Sequence, residues 1–150
     1  METLVLCSGC MFKHSDVLHL RQREPSRHEY KISSSGDMNV RVVKSGTATI
    51  KIPELGVTIK PSSGSRGYIS NVEGVLNRVK EAIVFAMSDA SPARRRVAER
   101  KLKTLGAIMH GLKKTNLIVM DPFGHSAIID KRAKRRKLTK KELAFLEAST

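Results

Sequence analysis

The chain has 150 residues, 40% of them hydrophobic, which is enough for one ordinary core but not for two domains of comparable size. Lysine and arginine outnumber aspartate and glutamate 28 to 14, so the formal net charge of +14 favours anionic partners without specifying which. No apolar run has the length of a membrane span and no segment has the pattern of a secretion signal, so we expect a cytoplasmic protein.

The two cysteines of the chain, Cys7 and Cys10, have the C-x-x-C spacing of a metal-binding turn. Two thiolates at this spacing are half of a tetrahedral zinc site, and a complete structural site needs two further Cys or His ligands. His14 and His19 are the nearest candidates in the sequence. The sequence therefore predicts zinc binding by Cys7 and Cys10, and it leaves open whether two chains share one site.

Residues 17–61 have the alternation of polar and apolar residues that is typical of short strands. The alternating runs are 29–32, 39–44, 47–52 and 57–60. Glycine, proline or aspartate separates the runs at positions where the chain can reverse, so we expect antiparallel strands with one apolar face. The segment PSSGSRG (61–67) is polar and rich in glycine and serine, so we expect a loop that crosses the surface. It lacks the lysine and the Ser/Thr of a phosphate-binding loop, so a plain linker is favoured over a phosphate site.

Two helices are predicted after this loop. Ser70 and Glu73 have the spacing of a capping box, so the first helix is expected to begin after Ser70. Its apolar stripe is Val72, Val75, Leu76, Val79, Ala82, Ile83 and Ala86. Ser91 followed by Pro92 predicts the start of the second helix, and the short connection predicts an antiparallel helical hairpin over about 70–115.

The C-terminal part of the chain returns to strand patterns. Residues 117–120 are fully apolar, 121–124 form a turn motif and 126–129 alternate, so we expect a β-hairpin that closes the sheet. A basic block, KRAKRRK, follows at 131–137. Thr139 and Glu142 then have capping-box spacing and predict a short C-terminal helix.

Basic clusters make RNA or ribosome binding the main alternative to a protein partner, because clustered cations release counterions from a phosphate backbone. The residues concerned are Arg94, Arg95, Arg96, Lys131, Arg132, Lys134, Arg135, Arg136 and Lys137. Aromatic residues make up only 4% of the chain and tryptophan is absent, so the sequence offers no stacking platform for single-stranded bases.

The segments GYISNVEGVL (67–76) and LIVMDPFGHSAI (117–128) resemble the Zpr-type zinc finger proteins, in particular their single-module archaeal version. The resemblance implies a fold that is mainly β with α, namely a double-stranded β-helix of jelly-roll type. An antiparallel helical hairpin is inserted into it and a partial zinc ribbon precedes it. The implied domain limits are 1–19 for the zinc ribbon, 20–130 for the double-stranded β-helix, and 131–150 for the basic segment and helix.

The zinc ribbon departs from the family pattern in two ways. The family has a first C-x-x-C upstream of the pair that Cys7 and Cys10 match, and Met11 stands where the family usually has glycine. We therefore expect only the second half of the zinc finger in this chain. Two explanations stay open: a homodimer that shares one zinc, or a first half encoded upstream of Met1.

The resemblance implies a non-enzymatic protein that binds or chaperones translation elongation factor 1-alpha, which is the partner of the two-module eukaryotic relatives. The partner-binding residues carried over from the motifs are Glu73, Asp121, His125 and Ser126, with His125 standing where many relatives have asparagine. Asp-Pro-x-Gly is also the chemistry of an ordinary tight turn, and Glu73 is also a helix-capping residue. Gly74 predicts a close backbone approach, for which the DPFGHS turn is the nearest candidate.

Catalysis has little support in the sequence. His14 with Asp16, and His125 with Asp121, can be drawn as acid–base pairs. No nucleophile motif, cofactor loop or complete metal triad accompanies them. The strands predicted within 29–60 contain no histidine, which argues against the metal site of a jelly-roll enzyme.

Overall fold

The computed structural model describes residues 24–148. This part of the chain contains eight strands and three α-helices. The strands are β1 (Ser26–Ile32), β2 (Arg41–Lys44), β3 (Thr49–Ile52), β4 (Val57–Ile59), β5 (Tyr68–Asn71), β6 (Thr115–Asp121), β7 (Ala127–Ile129) and β8 (Lys134–Lys137). The helices are α1 (Val72–Met87), α2 (Pro92–Met109) and α3 (Lys140–Glu147).

The strands form two antiparallel sheets that share one hydrophobic core. The larger sheet has the order β4-β3-β6-β1-β8 and the smaller sheet has the order β5-β2-β7. The core contains Tyr30 and Leu117 from the larger sheet, and Val42 and Ile128 from the smaller one. The expected class, mainly β with α, is confirmed.

Strand β6 is the central strand of the larger sheet and pairs with β1 over seven positions, from Ser26↔Asp121 to Ile32↔Thr115. Strand β1 alternates between the buried inner face and a more exposed outer face, as its sequence predicts. Strand β6 is buried on both faces, because α3 covers part of its outer side. Leu138 and Leu146 pack there against Ile118 and Met120.

The predicted hairpin of 117–129 is wrong. Strand β6 pairs with β1 and β3, whereas β7 pairs with β2 in the other sheet. The turn at 121–124 is therefore a corner that takes the chain from one sheet to the other. Sequence could predict the turn but not the change of sheet, because a tight turn and a corner both use Asp, Pro and Gly.

The predicted helical hairpin is present, with α1 and α2 joined by residues 88–91. The buried positions of α1 are those of the predicted stripe, apart from Ala82 and Ala86, which are exposed. Helix α2 buries only Leu105 and Ile108. The predicted N-cap at Ser91 and the predicted capping box of Thr139 and Glu142 are confirmed, with Pro92 in the first turn of α2.

The capping box of Ser70 and Glu73 is wrong. Strand β5 continues to Asn71, which pairs with Arg41, so the chain leaves the sheet one residue later than the sequence predicts. Asn71 is the N-cap of α1 and its side chain accepts a 2.8 Å hydrogen bond from the Gly74 N–H. The close approach predicted at Gly74 is made by the Ser70 side chain and not by the DPFGHS turn.

Candidate functional site

Asp121, the last residue of β6, organises the turn that carries the DPFGHS motif. It is fully buried. Its carboxylate accepts hydrogen bonds from the N–H groups of Phe123 at 2.9 Å and His125 at 3.0 Å, so the turn folds around it. Backbone N–H groups that converge on one carboxylate fix the conformation of a turn.

The same carboxylate binds three hydroxyl groups. Ser126 donates at 2.7 Å, Ser45 at 2.7 Å and Thr47 at 3.1 Å. Ser45 and Thr47 lie in the turn between β2 and β3, so Asp121 joins two turns that are far apart in the sequence. The Ser45 N–H donates in turn to the Ser126 hydroxyl at 2.9 Å, which closes the network.

Burial alone would raise the pKa of Asp121, but the hydrogen bonds from Ser126, Phe123, Ser45 and Thr47 outweigh it and lower the pKa below its ordinary value. The carboxylate is therefore ionised at neutral pH and acts only as an acceptor. A buried carboxylate with this many donors holds structure in place, and it has no vacant position for substrate chemistry.

The four sequence-predicted partner residues fall into two groups. Asp121 and Ser126 are buried, so they position the turn and are not themselves accessible to a partner. His125 is partly exposed in the turn, and Glu73 lies on the exposed side of the first turn of α1. The turn also presents Phe123, which sequence reasoning did not single out and which is 38% exposed.

Phe123 forms one wall of an apolar cleft with a volume of about 720 Å³. Leu143 and Leu146 of α3 line it as well, together with Pro25 before β1. The remaining lining residues are Gly46, Thr47, Thr49, Pro61, Ser62, Ser63, Pro122 and Glu147. The volume is in the range of cavities that bind a small ligand or a few anchoring side chains.

Five segments that are distant in sequence build the cleft. The loop 61–67, predicted to cross the surface, contributes Pro61 to one wall, and the turn of Ser45 and Thr47 contributes another. The Asp121 network holds that turn against Phe123, so the buried carboxylate fixes the position of one wall of the cleft. No sequence signal indicated that α3 would lie beside the DPFGHS turn.

The basic clusters occupy different elements. Arg94, Arg95 and Arg96 are exposed in the N-terminal part of α2. The charge of the second cluster, the basic block 131–137, is partly neutralised by carboxylates. Arg132 binds Asp130 at 3.0 Å, and the Arg136 guanidinium binds Glu142 through two hydrogen bonds of 2.8 Å.

The predicted zinc ligands Cys7 and Cys10 lie outside the described residues. Within residues 24–148, no group of three or more His, Cys, Asp or Glu side chains is arranged to hold a metal ion. None of the helices in this range is both long enough and apolar enough to cross a bilayer.

A family model described as the ZPR1 jelly-roll domain matches residues 36–145. This chain belongs to the ZPR1 family. A ZPR1-like protein of Pyrococcus horikoshii is 40% identical over 97% of this chain and 67% of its own length. One from Methanocaldococcus jannaschii is 40% identical over 98% of this chain and 75% of its own length. Both carry the description uncharacterized.

Eukaryotic ZPR1 proteins are more distant and much longer. Mouse zinc finger protein ZPR1 is 29% identical over 87% of this chain, which corresponds to 29% of the mouse protein. A Schizosaccharomyces pombe relative, 28% identical over 81% of this chain, is named a zinc finger chaperone. The family match confirms the jelly-roll fold that the resemblance implied for the ZPR1-type chain.

Proposed function

We propose that this ZPR1-family protein is a zinc-finger-type interaction module that binds translation elongation factor 1-alpha and assists its folding. The observation that carries the proposal is the apolar cleft between the DPFGHS turn and α3, with Phe123 on its wall. The name of the Schizosaccharomyces pombe relative supports the chaperone part of the proposal. The choice of elongation factor 1-alpha as the partner rests on the resemblance of the sequence motifs to the family.

The cleft has the properties that a protein-docking site requires. Its walls are mainly apolar, and the ionised Asp121 beneath it keeps the turn rigid, which lowers the entropy cost of binding. An exposed aromatic side chain beside a cleft is the usual chemistry of an interface hot spot. The net charge of +14 adds long-range attraction to an acidic partner surface.

The test is a binding titration with recombinant elongation factor 1-alpha from Pyrococcus horikoshii. Phe123→Ala removes the aromatic wall and leaves its N–H bond to Asp121 intact, so we expect roughly tenfold weaker binding. Phe85→Ala is the matched control, because Phe85 is 81% exposed on α1 and does not line the cleft. Absence of binding by the wild-type chain, or an equal loss in both variants, would contradict the proposal.

We further propose that Cys7 and Cys10 bind zinc, because two thiolates supply half of a tetrahedral ligand set. Two chains in a homodimer then complete one site. Native mass spectrometry with and without a strong chelator tests both points in one experiment. A dimer with one zinc that dissociates on chelation is expected, and a metal-free monomer would refute the shared site. The double variant Cys7→Ser with Cys10→Ser is expected to match the chelated sample.

RNA binding is the second candidate function, and the position of Arg94, Arg95 and Arg96 favours it. These cations lie near the positive end of the α2 dipole and the first turn has no acidic residue, which is unfavourable for the helix itself. Binding of an oligouridylate at low salt, lost on replacing the three arginines by glutamine, would support it. Equal binding by the triple variant would exclude this cluster.

A further inference from the structure

Strand β8 lies at one end of the larger sheet and pairs there only with β1, among the residues that the structure describes. Its four residues are all exposed. One side of its backbone therefore faces β1, and no strand within residues 24–148 pairs with the other side. An edge strand with free backbone groups can accept a further strand from another chain.

The register identifies which backbone groups face outward. The Leu138 N–H donates to the Pro25 carbonyl at 3.2 Å, so this pair belongs to the hydrogen-bonded class of the antiparallel ladder. Paired positions alternate between the two classes, so Arg136 and Lys134 point their N–H and C=O groups at β1. Arg135 and Lys137 point theirs away from the sheet.

These outward groups are not all equivalent. The Lys137 carbonyl already accepts a 3.0 Å hydrogen bond from the Arg136 guanidinium. Arg135 contributes an N–H and a C=O, and Lys137 contributes an N–H. An added strand can thus form about three main-chain hydrogen bonds, alternately as acceptor and donor.

The side chains of β8 differ in how far their charges are already neutralised. The guanidinium of Arg136 is bound by Glu142 and the Lys137 ammonium lies 3.1 Å from Glu24. Within residues 24–148, Lys134 and Arg135 have no acidic partner within salt-bridge distance. Two cations that form no salt bridge within the described residues therefore lie beside the outward backbone groups, although Glu29 is the cross-strand neighbour of Lys134.

We propose that β8 is a docking edge for an extended acidic peptide segment of a partner protein, which adds to the larger sheet as a sixth strand. The peptide backbone is bound by the N–H and C=O of Arg135 and by the N–H of Lys137. The carboxylates of the peptide are bound by the side chains of Lys134 and Arg135. The site does not include the cleft beside Phe123 and does not depend on which protein occupies that cleft.

The outward groups favour a peptide over a nucleic acid. A phosphate accepts hydrogen bonds from N–H groups, but it cannot satisfy the outward Arg135 carbonyl, which needs a donor. A peptide strand supplies donors and acceptors at the spacing of the sheet. A second copy of β8 is disfavoured as the added strand, because it would bring two rows of cations together.

The probe is a short fluorescein-labelled peptide of alternating glutamate and valine, titrated by anisotropy at low and moderate salt. Arg135→Gln removes the charge and keeps the N–H, whereas Arg135→Pro removes both. The proline leaves the ladder to β1 intact, because the Arg135 N–H faces outward. We expect roughly threefold weaker binding for Arg135→Gln and roughly thirtyfold for Arg135→Pro. Arg95→Gln on α2 is the charge-matched control.

Amide hydrogen exchange of the wild-type chain provides a test that needs no variant. The Arg135 and Lys137 amides are expected to exchange quickly in the free protein and at least tenfold more slowly with saturating peptide, while the Arg136 amide changes little. Equal binding by Arg135→Gln and Arg135→Pro, or unchanged exchange at both amides, would overturn the proposal. The same binding of a lysine–valine peptide, or displacement of the acidic peptide by an oligouridylate without amide protection, would also overturn it.

Discussion

Ser45 and Asp121 are 76 positions apart in the sequence, and the Ser45 hydroxyl donates a 2.7 Å hydrogen bond to the Asp121 carboxylate. This bond connects the turn after β2, in the smaller sheet, to the end of β6, in the larger sheet. Ser126 closes the network by donating to Asp121 and accepting from the Ser45 N–H. One ionised side chain thus holds both the corner between the sheets and one wall of the apolar cleft.

Replacing Asp121 by asparagine is expected to lower the free energy of unfolding by about 2 to 3 kcal/mol, because an amide nitrogen would face buried donors. Urea unfolding followed by circular dichroism measures the change. Asp89→Asn is the control, since Asp89 is exposed in the connection between α1 and α2. A change below about 0.5 kcal/mol in Asp121→Asn, as expected at an ordinary surface site, would contradict the assigned role.

The ionised Asp121 should also make the stability of the fold depend on pH. The folded state lowers the pKa of Asp121 below its ordinary value of 3.8, so the carboxylate stabilises the fold above that value. The stabilisation is lost as the pH falls below 3.8 and through the folded-state pKa. The difference in stability between the wild type and Asp121→Asn should therefore shrink with acidification. A constant difference from neutral pH to pH 2 would show that charge is not involved.

The contact between Ser70 and Gly74 should also affect stability. A Cβ at position 74 would overlap the Ser70 hydroxyl, and the Ser70 Cβ would lie 3.2 Å away. Gly74→Ala is therefore expected to be destabilising, although alanine normally gains about 1 kcal/mol over glycine in a helix. In a Ser70→Ala background the cost should fall, giving a coupling energy of about 1 kcal/mol in a double-mutant cycle. Strict additivity of the two changes would rule out the contact.

The docking of α3 should be sensitive to acid. Hydrogen bonds from the Arg136 guanidinium lower the pKa of Glu142 to about 2 from an ordinary value of 4.5. Glu142 therefore stabilises the attachment of α3 above pH 4.5, and this contribution disappears between pH 4.5 and about 2. Amide exchange of α3 should accelerate over that range. In Glu142→Gln it should already be fast at neutral pH, whereas Glu99→Gln on α2 should resemble the wild type.

The elements that local chemistry determines were predictable. Apolar periodicity located α1 and α2 because a helix on a core must repeat its apolar residues every three or four positions. Ser91 with Pro92, and Thr139 with Glu142, located two helix starts from local chemistry. Ser91, Thr139 and Glu142 accept hydrogen bonds from N–H groups of their own segment, and Pro92 has no N–H that needs a partner. The family motifs then identified the jelly-roll fold.

The errors concern positions where a distant segment decides. Ser70 and Glu73 fit a capping box, but the pairing of Asn71 with Arg41 extends β5 and moves the helix start. Strand β8 was not predicted, because four consecutive cations lack any alternation and form a strand only by pairing with β1. Asp121 and Ser126 were recognised as a motif, yet the cleft beside them depends on α3 and on the loop after β4, and no local pattern encodes that contact.

The N-terminus of α2 gives the last prediction, because its sequence is locally unfavourable. Ser91 caps the helix by accepting from the Arg94 N–H at 3.3 Å, while the Arg94 side chain places a cation near the positive end of the helix. Arg94→Glu would place a carboxylate where it can reach back to the Ser91 N–H, which creates the capping box already present at Thr139 and Glu142. The variant is expected to be stabilised by about 1 kcal/mol, or about 3 °C in melting temperature.

Lys103→Glu changes the net charge equally in the middle of α2 and should have a smaller effect. Equal stabilisation of the two variants would assign the gain to reduced overall repulsion, whereas a gain confined to position 94 would show that this arginine is kept at a cost to the helix.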